Sequence, residues 1–249
     1  MSKIAICFSG QIRTGILTHP NVISYFDGLM DNADIFVHCW NIRTSITQTM
    51  QDPEHFILED EKLFSRFKDL YSPKMMRVDQ YDKYAPYLQP HPQFHSINTC
   101  NELRKDYENK TGVSYDLVIR IRPDLLFNPE HKLIQDIQKI IELNSENVIY
   151  VNDNFDVISV KTDDIFWIAS PSIMDIVADF ANNWKNVDAD YYKDFQILLK
   201  EYLSFNNIEC EKFPYNNSFL IYRHSHVNKG VTVKMIENDF NSYRFNIEL

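Results

Sequence analysis

Leu117-Val-Ile-Arg-Ile121, closed by Arg122-Pro123-Asp124, constrains this chain more than any other stretch. A short apolar run rich in β-branched residues has the character of a strand buried on both faces. Proline cannot donate to a ladder, so the strand ends there. Arg122 and Asp124 are thereby delivered to its carboxyl end. Side chains two apart on a strand share a face, so Arg120 and Arg122 are expected to point the same way. A buried guanidinium needs an anionic partner. In open α/β sheets, ligands bind beyond the carboxyl ends of the strands. The segment therefore predicts a site for an anionic, phosphate-bearing ligand.

The rest of the chain supplies a sheet around that strand. Lys3 to Phe8 is a continuous apolar run, read as a buried parallel strand, and Ala33 to Trp40 is a second. A helix is expected between them from Pro20 to Met30, giving a βαβ opening with a right-handed crossover. Further helices are read over 59–71, 97–110, 129–143, 172–184 and 191–205. Further strands are read over 75–78, 148–151, 164–169, 208–213 and 219–222. Asp79 to His95 holds Pro86, Pro90 and Pro92 and reads as a long ordered loop. Strand and helix alternate up to about residue 150, after which the order turns irregular. The expectation is a single α/β domain over residues 1–249, with a central mixed, mostly parallel sheet flanked by helices.

Charge narrows the partners. The net charge of −10 argues against a general nucleic-acid binder, which needs a basic surface. No apolar run approaches the roughly 20 residues of a membrane span. The amino terminus reads as the start of a strand, so a cytoplasmic protein is expected. Cys7, Cys39, Cys100 and Cys210 are far apart, and neither a zinc site nor a disulfide framework is indicated.

Tyr115-Asp-Leu-Val-Ile-Arg-Ile-Arg-Pro-Asp-Leu-Leu-Phe127 resembles the central segment of GT-A fold glycosyltransferases. In that Rossmann-like fold a buried strand ends in an Asp-x-Asp motif that holds a divalent metal and the sugar nucleotide. Arg122-Pro123-Asp124 falls on the motif, with the first aspartate replaced and the last kept. Two further blocks, Ile4-Ala-Ile-Cys-Phe-Ser-Gly-Gln-Ile-Arg-Thr14 and Asp163-Asp-Ile-Phe-Trp-Ile-Ala-Ser-Pro-Ser-Ile-Met174, are similar to viral and bacterial relatives with an Arg-x-Arg-Pro-Asp segment. The blocks span residues 3–40 and 97–205 in the same order. The resemblance implies sugar transfer from a UDP-, GDP- or dTDP-sugar to a glycan hydroxyl. It also implies a nucleotide-sugar half over 1–128 and an acceptor-side half over 129–249. A sugar-phosphate nucleotidyltransferase is a second possibility, although only Gly10 and Gly15 stand where its glycine-rich signature belongs. A non-catalytic nucleotide- or glycan-binding module is a third.

Transfer needs the leaving diphosphate neutralised and the acceptor hydroxyl deprotonated. Arginine can neutralise phosphate through bidentate contacts without a metal. Arg122 is therefore expected to contact phosphate and to carry little structural duty, and metal dependence is expected to be weak or absent. Mg²⁺ or Mn²⁺ stays open, with Asp124 as its ligand. Asp124 could instead touch ribose or donor sugar, or cap a turn after proline. Arg120 is either a phosphate contact or a structural partner of Asp163 or Asp164. Ser9, Gly10, Gln11 and Arg13 form a donor-rich turn that can serve a nucleotide or be an ordinary strand–helix connection. Asp163 and Asp164 are the candidate general bases for an inverting enzyme, or a loop pair. Asp190 and Asp194 are weaker ones. By resemblance, His224 would complete the metal site or cover the diphosphate. His38 reads as a hydrogen-bonded core histidine, and Trp40 as core or a base-stacking surface. Tyr81, Tyr84, Tyr87, His91 and His95 form either a sugar-stacking wall or an ordered surface loop.

Overall fold

The computed structural model describes residues 2–44, 56–58, 60–81, 92–143, 145–151, 165–186, 195–213, 219–221, 230 and 232–238. Its strands are β1 (Ile4–Gln11), β2 (Ala33–Trp40), β3 (Ile42–Thr44), β4 (Phe56–Leu58), β5 (Met75–Asp79), β6 (Leu117–Ile121), β7 (Leu125–Phe127), β8 (Val148–Val151), β9 (Phe166–Ala169), β10 (Glu209–Lys212) and β11 (Phe219–Ile221). Its helices are α1 (Gly15–Tyr25), α2 (Glu61–Tyr71), α3 (Pro92–Thr111), α4 (Leu133–Leu143), α5 (Pro171–Ala178), α6 (Phe180–Asn183), α7 (Phe195–Phe205) and α8 (Val233–Asn238). A seven-stranded sheet has the order β10-β8-β9-β6-β1-β2-β5. Only β9 runs against its neighbours β6 and β8, and the other pairings are parallel. The expected α/β architecture, a mixed and mostly parallel sheet between helices, is the one observed.

Alternation along the strands divides the core in two. Ile4, Ile6 and Phe8 of β1, with Ile35 and Val37 of β2 and Ile119 and Ile121 of β6, face α1, α2 and α4. Ala5 and Cys7, with Phe36 and Val118, face α3, α5, α6 and α7. Burial on both faces is what a parallel strand between helical layers requires. The apolar stripe of α2 sets Phe67 against Phe8, with ring centroids 6.0 Å apart and nearly perpendicular planes. Asp60 caps that helix, its carboxylate accepting from the Lys62 N–H at 2.9 Å.

Several boundaries differ from the sequence expectation. Helix α1 begins at Gly15, not Pro20, and carries the proline inside it. Strand β1 continues beyond Phe8 to Gln11, carried through Gly10 at φ +123°. Helix α3 begins at Pro92, in the first-turn position that proline favours. The supposed loop up to His95 is therefore shorter, and residues 82–91 lie outside the described residues. Two small antiparallel pairs form, β3 with β4 and β7 with β11; β11 falls within the strand expected over 219–222, whereas β3, β4 and β7 carry no clear period in the sequence. The reading of 172–184 as one helix is replaced by α5 and α6, broken at Asp179.

Candidate functional site

Two chain segments meet at the carboxyl edge of β1 and β6. The first is the turn from Gln11 to Gly15, and the second is Arg122-Pro123-Asp124. Gly15 packs directly on Pro123: a Cβ there would lie 3.0 Å from Pro123 Cβ, Pro123 O and Phe67 Cε2. The Thr18 hydroxyl donates to the Pro123 carbonyl at 3.1 Å, and the Tyr71 hydroxyl to the Gly15 carbonyl at 3.3 Å. One turn further along α1, the Asn21 amide donates to the Phe127 carbonyl at 3.0 Å and accepts from the Phe127 N–H at 2.7 Å. The Asn21 side chain thus imitates a neighbouring strand and fixes β7 against α1.

These clamps hold a charge cluster. Arg122 grips Asp124 with two parallel bonds, Nε to Oδ1 at 3.0 Å and Nη2 to Oδ2 at 2.8 Å. Arg13 Nη1 donates to the same Oδ2 at 2.9 Å, and its Nε donates to Gln11 Oε1 at 3.0 Å. Arg13 holds a left-handed backbone, φ +49°, which is uncommon for a residue with a side chain. Asp124 is fully buried, while the Arg13 and Arg122 side chains are 17% and 14% exposed. Burial alone would raise the Asp124 carboxyl, but the charges of Arg122 and then Arg13 override it and bring it down to about 2. Among the described residues, two cations thus meet over one buried anion at the strand ends.

Arg120 of β6 and Arg122 just beyond it do not act together as the alternation predicted. Arg120 is 1% exposed and stays beneath the edge, donating from Nε to Ser9 Oγ at 2.9 Å. Its guanidinium carbon lies 5.0 Å from the centre of the Trp167 ring. Arg122 lies past the strand end and turns back to Asp124, so it has a structural duty that the sequence reading withheld from it. Asp124 was also read as a metal ligand. Both of its oxygens accept from guanidinium groups, and among the described residues no group of three His, Cys, Asp or Glu side chains could hold a metal ion. Among the described residues, this donor set offers Asp124 no further ligand for a divalent cation.

The structure thus brings Gln11, Arg13, Arg122 and Asp124 together, with Gly10 in the β1 end that leads into them and Ser9 and Arg120 paired below. Asp163, Asp164, Asp190, Asp194 and His224, with Tyr84, Tyr87 and His91, lie outside the described residues. Trp40 is buried, its Nε1 donating to the Pro92 carbonyl at 3.2 Å and its ring edge-on to Tyr81 at 5.7 Å. His95 lies in the first turns of α3. His38 is buried between Ser96 and Asp79. Sequence reasoning missed Thr18, Asn21, Asp79 and Ser96. Each acts on a residue 41 or more positions away, so no local pattern marks it.

No protein-family model and no curated protein sequence matches the chain. Among solved structures, it is similar to a protein of Bacillus anthracis assigned as a glucose-1-phosphate thymidylyltransferase, in complex with sucrose. The TM-score is 0.50 at 9% identity, over 96% of each chain. It also resembles the glycosyltransferase GlyE of Streptococcus pneumoniae, with TM-score 0.46 and 8% identity, over 84% of this chain and 45% of that one. The first match, nearly end to end, shows the fold that the two chains share.

Proposed function

We propose that this chain is a glycosyltransferase that moves a sugar from a nucleoside-diphosphate sugar, UDP-, GDP- or dTDP-linked, to a glycan hydroxyl. The observation that carries the reading is the Arg13–Asp124–Arg122 cluster at the carboxyl edge of the sheet. A departing diphosphate gathers negative charge, and preorganised cations at the place where charge develops are the strongest help a protein can give. Asp124 orients two guanidinium groups whose outer sides reach the surface. A phosphate meeting both would be held through charge-assisted bonds. The proposed reaction therefore needs little or no Mg²⁺ or Mn²⁺. Asp163 or Asp164 is proposed as base if the enzyme inverts, and His224 as a cover for the diphosphate. Residues 1–128 would hold the donor and 129–249 the acceptor. The fold shared with a thymidylyltransferase is compatible with a sugar-nucleotide substrate and does not choose between transfer and nucleotidyl chemistry.

Thermal stabilisation by UDP, GDP, dTDP and CMP, each with and without Mn²⁺, tests the binding half. A rise in melting temperature with one diphosphate, equal with and without metal, is expected. Stabilisation by none of them would end the reading, and stabilisation only with Mn²⁺ would end its metal-independent form. Slow hydrolysis of the matching nucleotide sugar then marks a transferase. Release of pyrophosphate from a nucleoside triphosphate and a sugar 1-phosphate would mark a nucleotidyltransferase instead. Binding with neither reaction would mark a module that only binds.

A further inference from the structure

A second polar cluster lies outside the Arg13–Asp124–Arg122 group. His38 of β2 is fully buried, and each ring nitrogen has a partner on a different element. Nδ1 lies 2.6 Å from Ser96 Oγ on α3, and Nε2 lies 3.2 Å from Asp79 Oδ2 at the end of β5. Asp79 is held at about 2, first by the hydrogen bond from His38 and also by Arg77 against the opposing effect of burial, so it is a carboxylate that can only accept. Nε2 must therefore carry the hydrogen. In the neutral ring Nδ1 is then bare, and the Ser96 hydroxyl must donate to it. The same hydroxyl lies 3.3 Å from the His38 carbonyl oxygen, a second acceptor. If Nδ1 gains a proton, it can donate to Ser96 Oγ only when the Ser96 hydrogen turns to that carbonyl.

We propose that His38 and Ser96 form a buried two-position proton switch, which makes the seating of α3 on the edge of β2 and β5 depend on pH. Each position keeps every polar atom of the pair bonded, which is what allows the ring to change state inside the core. The positions are unequal, because the charged ring is paired only at the cost of its burial and of a longer serine bond. Burial holds the imidazole below its ordinary value, Asp79 raises it and Arg77 lowers it. A depressed value favours the neutral ring. Its stabilising effect is complete above about pH 6.5 and is lost as the pH falls through the folded-state value. Among the described residues, the charged groups acting on the ring are Asp79 and Arg77 of β5, and Cys100 of α3 lies against the His38 backbone, beside Cys7 of β1 and within reach of Arg120 of β6. Trp40, edge-on to His38 at 5.3 Å, donates to Pro92 in the first turn of α3 and joins that turn to the same cluster.

Imidazole nitrogen NMR on the full chain tests the switch. At about pH 7 the ring should be neutral with the hydrogen on Nε2, and it should titrate below the ordinary value of about 6.5. Ser96→Ala should make protonation roughly tenfold harder, moving the midpoint down by about one pH unit, and Ser96→Thr should restore it. Amide exchange in the first turns of α3, corrected for intrinsic rate, should quicken below the midpoint in the wild type and lose that step in His38→Gln. His19→Gln is the control, because His19 also titrates low. A neutral ring with its hydrogen on Nδ1 would overturn the proposal, and so would a Ser96→Ala midpoint equal to the wild type. The tautomer is read on the wild type, so the test stands even if a variant fails to fold.

Discussion

Arg122 and Asp124 face each other across Pro123 through two parallel hydrogen bonds, 3.0 Å and 2.8 Å long. The arginine therefore has two duties, as counter-ion to a buried carboxylate and as proposed phosphate contact. Truncation should damage both. Arg122→Ala is expected to cost about 3 kcal/mol of stability, the low end for breaking a buried pair, because Arg13 remains on Oδ2. It should also weaken nucleotide binding about tenfold or more. Arg122→Lys keeps the charge and loses the fork, so it should recover stability more fully than affinity. Urea unfolding beside nucleotide titration separates the two losses. Unchanged affinity in a folded Arg122→Ala protein would leave the arginine with structure alone.

The depressed Asp124 carboxyl predicts a particular acid limb. A carboxylate whose folded value lies near 2, against about 3.9 when unfolded, contributes about 2–3 kcal/mol that is present above the unfolded value. That contribution fades as the pH falls from about 4 towards 2. Asp124→Asn should therefore be much less stable than the wild type at about pH 6, with the gap narrowing below about pH 3. Asp79 titrates in the same window but is only partly buried, so the gap between variants is the safer reading. Unfolding free energy followed against pH in both proteins checks this. A gap that stays constant down to pH 2 would show that the charge of Asp124 contributes nothing.

Gly15 is fixed by its surroundings, since three heavy atoms lie 3.0 Å from where a Cβ would sit. Two of them belong to Pro123, one a backbone oxygen that cannot rotate away. Gly15→Ala is expected to cost about 1–3 kcal/mol by overpacking and to push the Arg122–Asp124 turn away from α1. Its unfolding midpoint should fall, and nucleotide affinity should fall with it. Thr18→Ala removes only the hydroxyl's bonds to the Pro123 and Gly15 carbonyls and should do less.

The strand carrying the site was legible because burial on both faces leaves an apolar run that little else explains, and because proline ends it. The two arginines misled for a physical reason. Alternation fixes the side on which a residue leaves a strand, but Arg122 lies past the last strand residue, where the proline turn redirects it. Arg120 stays in the core, donating to Ser9 and lying over Trp167. The expected start of α1 at Pro20 gives way to Gly15, whose close fit on Pro123 depends on a contact far away in the chain. The short β7 offers no period to read, although its partner β11 falls inside the strand expected over 219–222.

Asn21 gives the plainest test of such long-range fastening. Its amide donates to the Phe127 carbonyl, accepts from the Phe127 N–H and also donates to Glu237 Oε1 at 2.9 Å on α8. Asn21→Ala would leave two buried backbone groups without this partner, each at a cost of about 1–3 kcal/mol. Asn21→Asp keeps the acceptor for the Phe127 N–H and loses both donors, while setting a carboxylate against the Phe127 carbonyl and Glu237. It should therefore be no better than alanine at neutral pH. Glu237→Gln should be nearly silent, since its amide oxygen can still accept. Chemical unfolding of the three variants, read beside amide exchange at Phe127, ranks them. If alanine proved as stable as the wild type, α1 would not depend on this bridge to hold β7.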